Sequence, residues 1–296
     1  MSESGVSLTK KIEVPSLERK YLEGRALKSL LLTSLTWLAA LLASIPLFSV
    51  IYMLLVEGGA RLDWEALTEL PPAGFEMGGG FGNAIVGTLI MVGISTAISV
   101  PLGILAAIYL AVLDPGSKIA ETARFLAKVL TGFPSILAGV FAYATIVIWT
   151  GTYSAWAGGV ALAVLMLPTV TLAAEEAMKQ VPQRMKDAAY GMGCTRTQVI
   201  WKVVLPTGMP GILTGVILAV AGASGESAPL LFTALFSNYY LSELAEPTAS
   251  LSILIYNFSG MPFENQIELA WAASLVLVLI VLIFNIIARL IGKPKY

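Results

Sequence analysis

Residues 187–206 read DAAYGMGCTRTQVIWKVVLP, a polar and basic stretch that lies between two long apolar segments. Because glycine and proline end helices, the stretch predicts a helix over Ala173–Tyr190, a break at Gly191 and Gly193, and a second short helix closed by Pro206. A structured, solvated helix pair on one side of a membrane protein is suited to binding a partner. The same residues are compatible with an ordinary loop between two spans.

The composition indicates a membrane protein. Hydrophobic residues make up 57% of the 296 residues and charged residues only 12%, which is more apolar surface than a soluble domain of this length carries. We therefore predict an all-α polytopic membrane protein. The first apolar run is longer than the core of a signal peptide, so we expect an uncleaved anchor. The six predicted spans are Leu30–Val56, Asn83–Leu113, Pro134–Trp149, Trp156–Ala174, Met209–Phe236 and Leu269–Ile291.

The charges of the remaining segments orient the chain. Of the 18 Lys and Arg residues, only Arg61 lies in a segment assigned to the outside, as the positive-inside rule requires. Ser117–Thr131 is amphipathic and is either an interfacial helix or the cytoplasmic start of the third span. The resulting organisation is a cytoplasmic tail (1–29), the first span (30–56), an outer loop (57–80), a core domain (81–291) with a cytoplasmic loop (175–206) and an outer loop (237–268), and a cytoplasmic C-terminus (292–296).

Absent residue types exclude most catalytic chemistry. Ser224, within Gly222–Gly225, resembles the nucleophile loop of rhomboid-type intramembrane proteases, but that mechanism needs a histidine base and the chain has no histidine. Cys194 is the only cysteine, so neither a zinc site nor a disulfide is expected. There is no P-loop motif. We expect the chain to bind no cofactor, and any ATP hydrolysis to belong to another subunit.

Glu226 is the one charge that this assignment places deep in the bilayer. A carboxylate at a helix centre costs about 2.5–3.5 kcal/mol on insertion scales, so Glu226 is expected to face a cavity or a polar partner. It either lines a translocation path or is a structural residue hydrogen-bonded to Ser224 or Ser227. Because an ionised Glu226 would repel an anion, with an anionic cargo it would pair with an arginine of a partner permease or shape a gate. Five polar residues would then contact the anion directly, or alternatively would only pack the helices together. They are Asn83, Thr88, Ser224, Ser227 and Thr233.

The cytoplasmic loop resembles the EAA signature of ABC-importer permeases. The matching residues are Asp187, Ala188, Ala189, Gly193, Val203, Leu205 and Pro206. Asp187 replaces the usual Glu and Val203 the usual Ile. The resemblance implies that residues 175–206 dock on an ATPase. Small residues such as Ala188, Ala189, Gly191 and Gly193 would allow close approach, and Arg184, Lys186 and Arg196 would form a charged rim. Packing of the two short helices on each other by the same small residues is compatible with docking.

Further segments resemble the A-type permease subunit of high-affinity phosphate ABC importers. They are Asn83–Leu89, Val100–Leu110, Gly132–Ile136, Leu205–Ala219 and Gly225–Leu231, the last reading GESAPLL. The resemblance covers residues 79–291 and implies a type I (MetI-like) importer fold with a peripheral first helix. One position departs from the family: Gly222 stands where an arginine often precedes the GE[ST]AP motif, so any cation that meets the anion would come from a partner.

The residues and the resemblance together predict a transport subunit rather than an enzyme. The implied partners are a sister permease (PstC type), two copies of a P-loop ATPase (PstB type), and a periplasmic or lipid-anchored phosphate-binding protein (PstS type). We expect phosphate as cargo, membrane lipid around the spans, no nucleic acid, and a multi-pass location in the bacterial cytoplasmic membrane. The alternatives are a permease for another oxyanion, such as sulfate or molybdate, and, more remotely, an intramembrane serine hydrolase acting through Ser224.

Overall fold

The computed structural model describes residues 24–291, so predicted tail residues 1–23 and the C-terminal residues 292–296 lie outside the described residues. Secondary structure in the described range is helical throughout. Five helices are long and apolar enough to cross a bilayer, and a bent helix pair makes a sixth span if it is counted as one. The prediction of an all-α polytopic membrane protein is confirmed.

Residues 24–52 form a unit by themselves. Helix α1 (Gly24–Met53) contains them and begins ahead of the predicted span, so the last residues of the predicted tail are helical. Its apolar side chains are exposed along its length, with Trp37 74% and Phe48 68% exposed. A helix that is apolar on all sides is typical of lipid surroundings.

The second unit, residues 53–296, contains twelve described helices joined or extended by π-helical turns. The π-helical turns are Leu54–Gly58, Tyr109–Leu113, Tyr143–Val147 and Ile200–Val204. The helices are α2 (Trp64–Thr68), α3 (Gly82–Ile108), α4 (Lys118–Thr131), α5 (Ser135–Ala142), α6 (Ile148–Thr150), α7 (Ala155–Lys179), α8 (Gln183–Gly191), α9 (Arg196–Val199), α10 (Leu205–Gly225), α11 (Ala228–Leu231), α12 (Leu251–Ser259) and α13 (Glu264–Ile291).

Helix α7 lies at the centre of this unit, where it packs against α3, α10, α4 and α5. Small residues allow the close contacts that membrane helices need. A Cβ at Gly103 of α3 would come within 2.7 Å of the Val170 side chain of α7, and one at Gly139 of α5 within 2.6 Å of the Pro229 backbone. Gly103 therefore sets the distance between α3 and α7, and Gly139 sets the distance between α5 and α11.

Helix α4 is sharply bent relative to the helices that follow it. It meets the α5–α6 segment, Ser135–Thr150, at an angle of 106°, and Pro134 at the junction disfavours a continuous helix. Its buried residues Ala120 and Ala127 lie on one face, whereas Ile119 and Phe125 are exposed. The bent pair forms a sixth span if it is counted as one, so an interfacial helix and the cytoplasmic start of the third span both stay predictions for this amphipathic segment.

The predicted boundaries of the loop helices are wrong at two prolines. No single helix covers Ala173–Tyr190, because α7 ends at Lys179 and α8 begins after Pro182, whose ring disfavours helix in the preceding residue. Pro206 does not close the second helix. It lies in the first turn of α10, where a missing N–H is tolerated, and the π-helical turn Ile200–Val204 joins α9 to α10.

The fifth span begins and ends earlier than predicted, since it covers Arg196–Gly225, and the outer loop that follows contains a helix. Helix α10 ends at Gly225, and Glu226 is extended (φ −76°, ψ 120°), so the helix does not continue to Phe236. Within the outer loop, Leu251–Ser259 forms helix α12, with Ser250 as its N-cap. Leu251, Ile253 and Leu254 of this helix are buried, so α12 belongs to the packed helical unit.

Candidate functional site

The loop of residues 175–206, which the sequence predicts to be cytoplasmic, folds around a left-handed turn between α8 and α9. Gly193 has φ +84°, and its N–H donates to the carbonyl oxygen of Tyr190 at 2.9 Å. Thr195 then starts α9 with a capping box: its Oγ1 accepts from the Gln198 N–H, and Oε1 of Gln198 accepts from the Thr195 N–H. These bonds satisfy backbone groups at both helix ends, so the turn is a defined structure.

The structure divides the predicted loop residues into two groups. Ala189 and Leu205 are buried and pack in one apolar cluster with Val199 and Val204. The small residues thus contribute both to packing and to an exposed surface, as the sequence allowed. The exposed group consists of Arg184, Asp187, Ala188, Gly191, Gly193, Arg196 and Pro206, while Lys186 is half-buried.

Exposed apolar residues on the same loop were not predicted. Met192 is 79% exposed, and Trp201 61%, with Met185 and Tyr190 also exposed. Large apolar side chains on a polar loop mark a surface for a partner. The sequence shows them, but their exposure depends on which side of each short helix packs inward.

Two arginines hold the π-helical turn Tyr109–Leu113, which extends α3. Nη2 of Arg196 donates to the carbonyl oxygens of Val112 (2.6 Å) and Leu113. Nη2 of Arg124, from α4, donates to the carbonyl oxygen of Leu110 at 2.6 Å. The last carbonyls of a helix have no partner within it, so these guanidinium groups fasten both the loop and α4 to α3. Arg196, predicted at the rim, is exposed but bound in this way.

A buried carboxylate completes the attachment. Glu175 of α7 is 3% exposed, and its Oε1 lies 2.5 Å from Nε of Arg124 and 2.7 Å from Nζ of Lys179. Sequence reasoning missed this cluster. The spacing of Glu175 and Lys179 indicates a helical pair, but Arg124 is 51 positions earlier in the chain and its approach depends on the fold.

Glu226 lines a cleft of about 190 Å³. The cleft lies where α10 ends. Gly222, one turn earlier, is exposed, and a Cβ at that position would have no neighbouring atom within 4 Å. The polar residues that share the lining are Thr131, Ser135 and Thr169, and the lining contains no Lys or Arg. The carboxylate therefore faces an open, partly hydroxyl-lined space.

The other predicted path residues make internal hydrogen bonds. Oγ of Ser224 donates to the carbonyl oxygen of Val220 at 2.7 Å, and Oγ1 of Thr233 to that of Pro229 at 2.9 Å. Nδ2 of Asn83 donates to the Ser237 carbonyl oxygen at 2.8 Å. Oγ1 of Thr88 accepts from the Leu251 N–H at 2.8 Å and so holds the start of α12. None of these four residues lines the Glu226 cleft.

Ser227 and Ser224 were predicted as possible partners of the Glu226 carboxylate. Ser227 is half-buried next to Glu226, and Ser224 is 2% exposed. Among residues 24–291 no side-chain hydrogen bond joins either serine to that carboxylate, although Oγ of Ser252 donates to the Glu226 backbone oxygen at 3.0 Å. The cleft hydroxyls of Thr131 and Thr169 were missed because single threonines in apolar helices carry no signal.

Comparisons with known proteins agree with this geometry. Residues 99–293 match the family model described as "Binding-protein-dependent transport system inner membrane component". A phosphate transport system permease protein PstA of Pasteurella multocida is 39% identical over 271 residues, covering 92% of this chain and 96% of its own length.

Two solved structures share the fold. One is the inward-facing MetNI methionine ABC transporter (TM-score 0.58, 20% identity, 72% of this chain and 94% of that chain). The other is a bacterial alginate ABC transporter in complex with an alginate-bound periplasmic protein (TM-score 0.63, 18% identity, 94% and 100%).

The fold, the exposed loop and these matches define a class of protein, the membrane-spanning permease of an ABC importer. Such permeases are transport components and not enzymes. Within this class, the chain belongs to the PstA family of phosphate transport permeases. The predicted family, type I importer fold and transport role are therefore confirmed.

Proposed function

We propose that this chain forms half of the translocation pathway of an ATP-driven, high-affinity phosphate importer in the bacterial cytoplasmic membrane. Similarity to a phosphate permease over 92% of the chain is the observation that carries the choice of cargo. The partners in this proposal are a sister permease of the PstC type, two ATPase subunits of the PstB type and a phosphate-binding protein of the PstS type. The nucleotide is bound and hydrolysed by the ATPase subunits.

Residues 175–206 are the coupling loop in this proposal. The exposed turn at Gly193 and the exposed side chains of Met192 and Trp201 support a docking surface for the ATPase. The hydrogen bonds of Arg196 to Val112 and Leu113 support force transmission, because a movement of the loop is passed to the end of α3. Closing and opening of the ATPase pair would then alternate access to the pathway.

The Glu226 cleft belongs to the translocation path in this proposal. Its lining offers a carboxylate and hydroxyls without a cation, so a basic side chain of the sister permease supplies the counter-charge for Glu226 and for the passing anion. The residues nearest the cargo in this proposal are Glu226, Thr131, Ser135 and Thr169, which their shared position in the cleft lining supports. Asn83, Thr88, Ser224 and Thr233 hold the walls, which their internal hydrogen bonds support, and Ser227 joins Glu226 on the path.

The proposal is tested by reconstituting the chain with its co-purified partners in proteoliposomes and measuring ATP-dependent uptake of labelled phosphate. Uptake that needs the binding protein, and that excess sulfate or molybdate does not reduce, supports the phosphate importer. Uptake of sulfate or molybdate in place of phosphate would agree with the proposed architecture but contradict phosphate as the cargo. A chain that purifies without a second permease and an ATPase from several detergents would overturn the importer.

A further inference from the structure

An apolar pair is exposed at the end of the molecule opposite the coupling loop. Phe75 is 92% exposed and Met77 88%, in the loop that leads into α3. Helix α3 with its π-helical turn, Gly82–Leu113, has 32 residues and is therefore about 48 Å long. Leu113, at one end of this segment, contacts the coupling loop through Arg196. The other end, at Gly82, therefore lies on the outer side, and Phe75 lies near it.

The loop that carries Phe75 is fixed by contacts with α13. Nδ2 of Asn265 donates to the carbonyl oxygens of Glu76 (2.9 Å) and Gly78 (3.0 Å). The Phe75 ring packs edge-on against Phe263, with ring centroids 4.7 Å apart. The loop is thus a built structure that exposes two apolar side chains, which is unusual for a solvated surface.

Between this loop and the start of α13 lies an open cleft of about 500 Å³ that combines aromatic rings with carboxylates. Its lining includes Phe75, Met77, Phe263, Glu76, Glu264 and Glu268. Glu264 and Glu268 are exposed and four residues apart on α13, where like charges repel each other. In the part of the chain that the structure describes, neither forms an ion pair. Both carboxylates are therefore available to a cation from outside.

We infer that this cleft receives an arginine or lysine side chain from the docking face of the extracellular binding protein. The carboxylates attract the cationic head, and the rings of Phe75 and Phe263 pack on its stem and add a cation–π contact. The inference rests on the proposed function, which supplies the binding protein. It adds the location of one contact and the chemistry of the partner residue.

The charge of the outer surface favours this occupant. In segments 57–80 and 237–268, Arg61 is the only basic residue, and it pairs with Asp63 at 2.6 Å. A surface of this sign repels free anions, so phosphate reaches the pathway better inside a protein whose rim is basic. Insertion of Phe75 and Met77 into lipid is disfavoured, because Glu264 and Glu268 would approach the lipid head groups with them.

The test compares Glu264→Gln/Glu268→Gln with the control Glu243→Gln/Glu69→Gln, which removes two exposed outer carboxylates outside the cleft. Each complete transporter is reconstituted, and phosphate-loaded binding protein is titrated while ATPase activity and direct binding are measured. The concentration of binding protein for half-maximal ATPase should rise about tenfold in the cleft variant and stay near wild type in the control. The difference should shrink at high ionic strength, because salt screens exposed charges.

Phe75→Ala should raise the same concentration without changing the maximal ATPase rate, and Tyr239→Ala, which removes another exposed outer aromatic ring, should not. Equal titrations for the cleft variant and its control would overturn the contact. So would a Phe75→Ala effect that follows lipid composition and leaves the binding-protein concentration unchanged, because that result indicates membrane insertion. A wild-type complex that binds the protein through this cleft but takes up no phosphate would overturn the proposed function and keep the contact.

Discussion

A single left-handed residue, Gly193, shapes the surface that the coupling loop presents. Its φ of +84° is rare for residues with a side chain, and nothing lies within 4 Å of the position that a Cβ would occupy. Space therefore does not exclude a side chain here, whereas the backbone favours glycine, followed by asparagine and aspartate. This property allows charge to be tested with little change in shape.

Gly193→Asp should abolish ATP-driven uptake while the chain still inserts into the membrane. A carboxylate without a partner in an interface costs about 2–5 kcal/mol, which weakens ATPase association about 30-fold or more. Gly193→Asn is the matched control, since asparagine also adopts the left-handed conformation without adding charge. Co-purification of the ATPase and phosphate uptake are measured for both. Normal uptake by the aspartate variant would contradict docking at this turn.

Glu226→Gln should reduce uptake about tenfold or more, because it removes one partner of the charge pair proposed in the cleft. Folding of the chain should be unchanged, since Glu226 makes no ion pair within residues 24–291, and we expect the complex still to assemble. Yield of the complete complex and phosphate uptake are measured on the same preparation. Full transport activity of Glu226→Gln would instead indicate that Glu226 has a structural role.

Gly222→Arg is a complementary prediction about the same cleft. Its guanidinium would lie one helical turn from Glu226, in an open position, and would pair with that carboxylate. We expect the variant to assemble and to make a basic residue of the sister permease dispensable for uptake. The measurement is uptake by sister-permease alanine variants, each with and without Gly222→Arg. If Gly222→Arg restores uptake in none of these alanine variants, the result contradicts a counter-charge from the sister permease.

At the scale of elements, the buried cluster around Glu175 joins α4 and α7 to the cytoplasmic end of α3. Arg124 contributes to both parts, since it pairs with Glu175 and donates to the Leu110 carbonyl oxygen. A buried carboxylate with two cationic partners is strongly coupled to its surroundings. Removing it leaves Arg124, which is largely buried, without its counter-charge.

Glu175→Ala should therefore lower the free energy of unfolding by about 3–5 kcal/mol. Glu176→Ala is the control, because the neighbouring carboxylate is exposed and surface substitutions change stability by about 0.5 kcal/mol or less. Thermal unfolding of the two variants in one detergent provides the comparison. Equal stabilities would show that the cluster contributes little.

The elements also show what the sequence could predict. Five of the six predicted spans correspond to long apolar helices, because a bilayer demands about 20 apolar residues for each span and such runs are visible in the sequence. The break at Pro182 could have been predicted from proline chemistry, but the continuity through Pro206 depends on a π-helical turn that has no residue signature. The 106° bend before α5 likewise depends on the packing of α4 against α7, which the amphipathic pattern of α4 does not reveal.

At the scale of the whole molecule, the distribution of charge predicts which side faces the cytoplasm. The loop with Arg184, Lys186 and Arg196 and the acidic segment 57–80 lie at opposite ends of α3, as the positive-inside rule requires. The candidate site was less predictable. The position of Glu226 in an apolar segment singled it out, whereas Thr131 and Thr169 join the cleft only through the contact of α4, α7 and α10.

Cys194 provides a direct test of this orientation, because it is the only cysteine and is partly exposed. A membrane-impermeant thiol reagent should leave it unlabelled in intact cells and label it in inside-out vesicles. In the Cys194→Ser background, Met77→Cys should show the opposite pattern, since Met77 is 88% exposed on the outer side. Cys194→Ser alone is the blank. Labelling of Cys194 from outside would reverse the topology.

The attachment of Arg196 to the last carbonyls of α3 makes that helix a lever arm. Since α3 with its π-helical turn is about 48 Å long, a tilt of one degree about its cytoplasmic end moves its outer end by about 0.8 Å. In the proposed complex, a rotation of a few degrees at the ATPase would therefore become a displacement of several ångströms at the opposite membrane surface. The gain in amplitude comes from the length of one continuous helix.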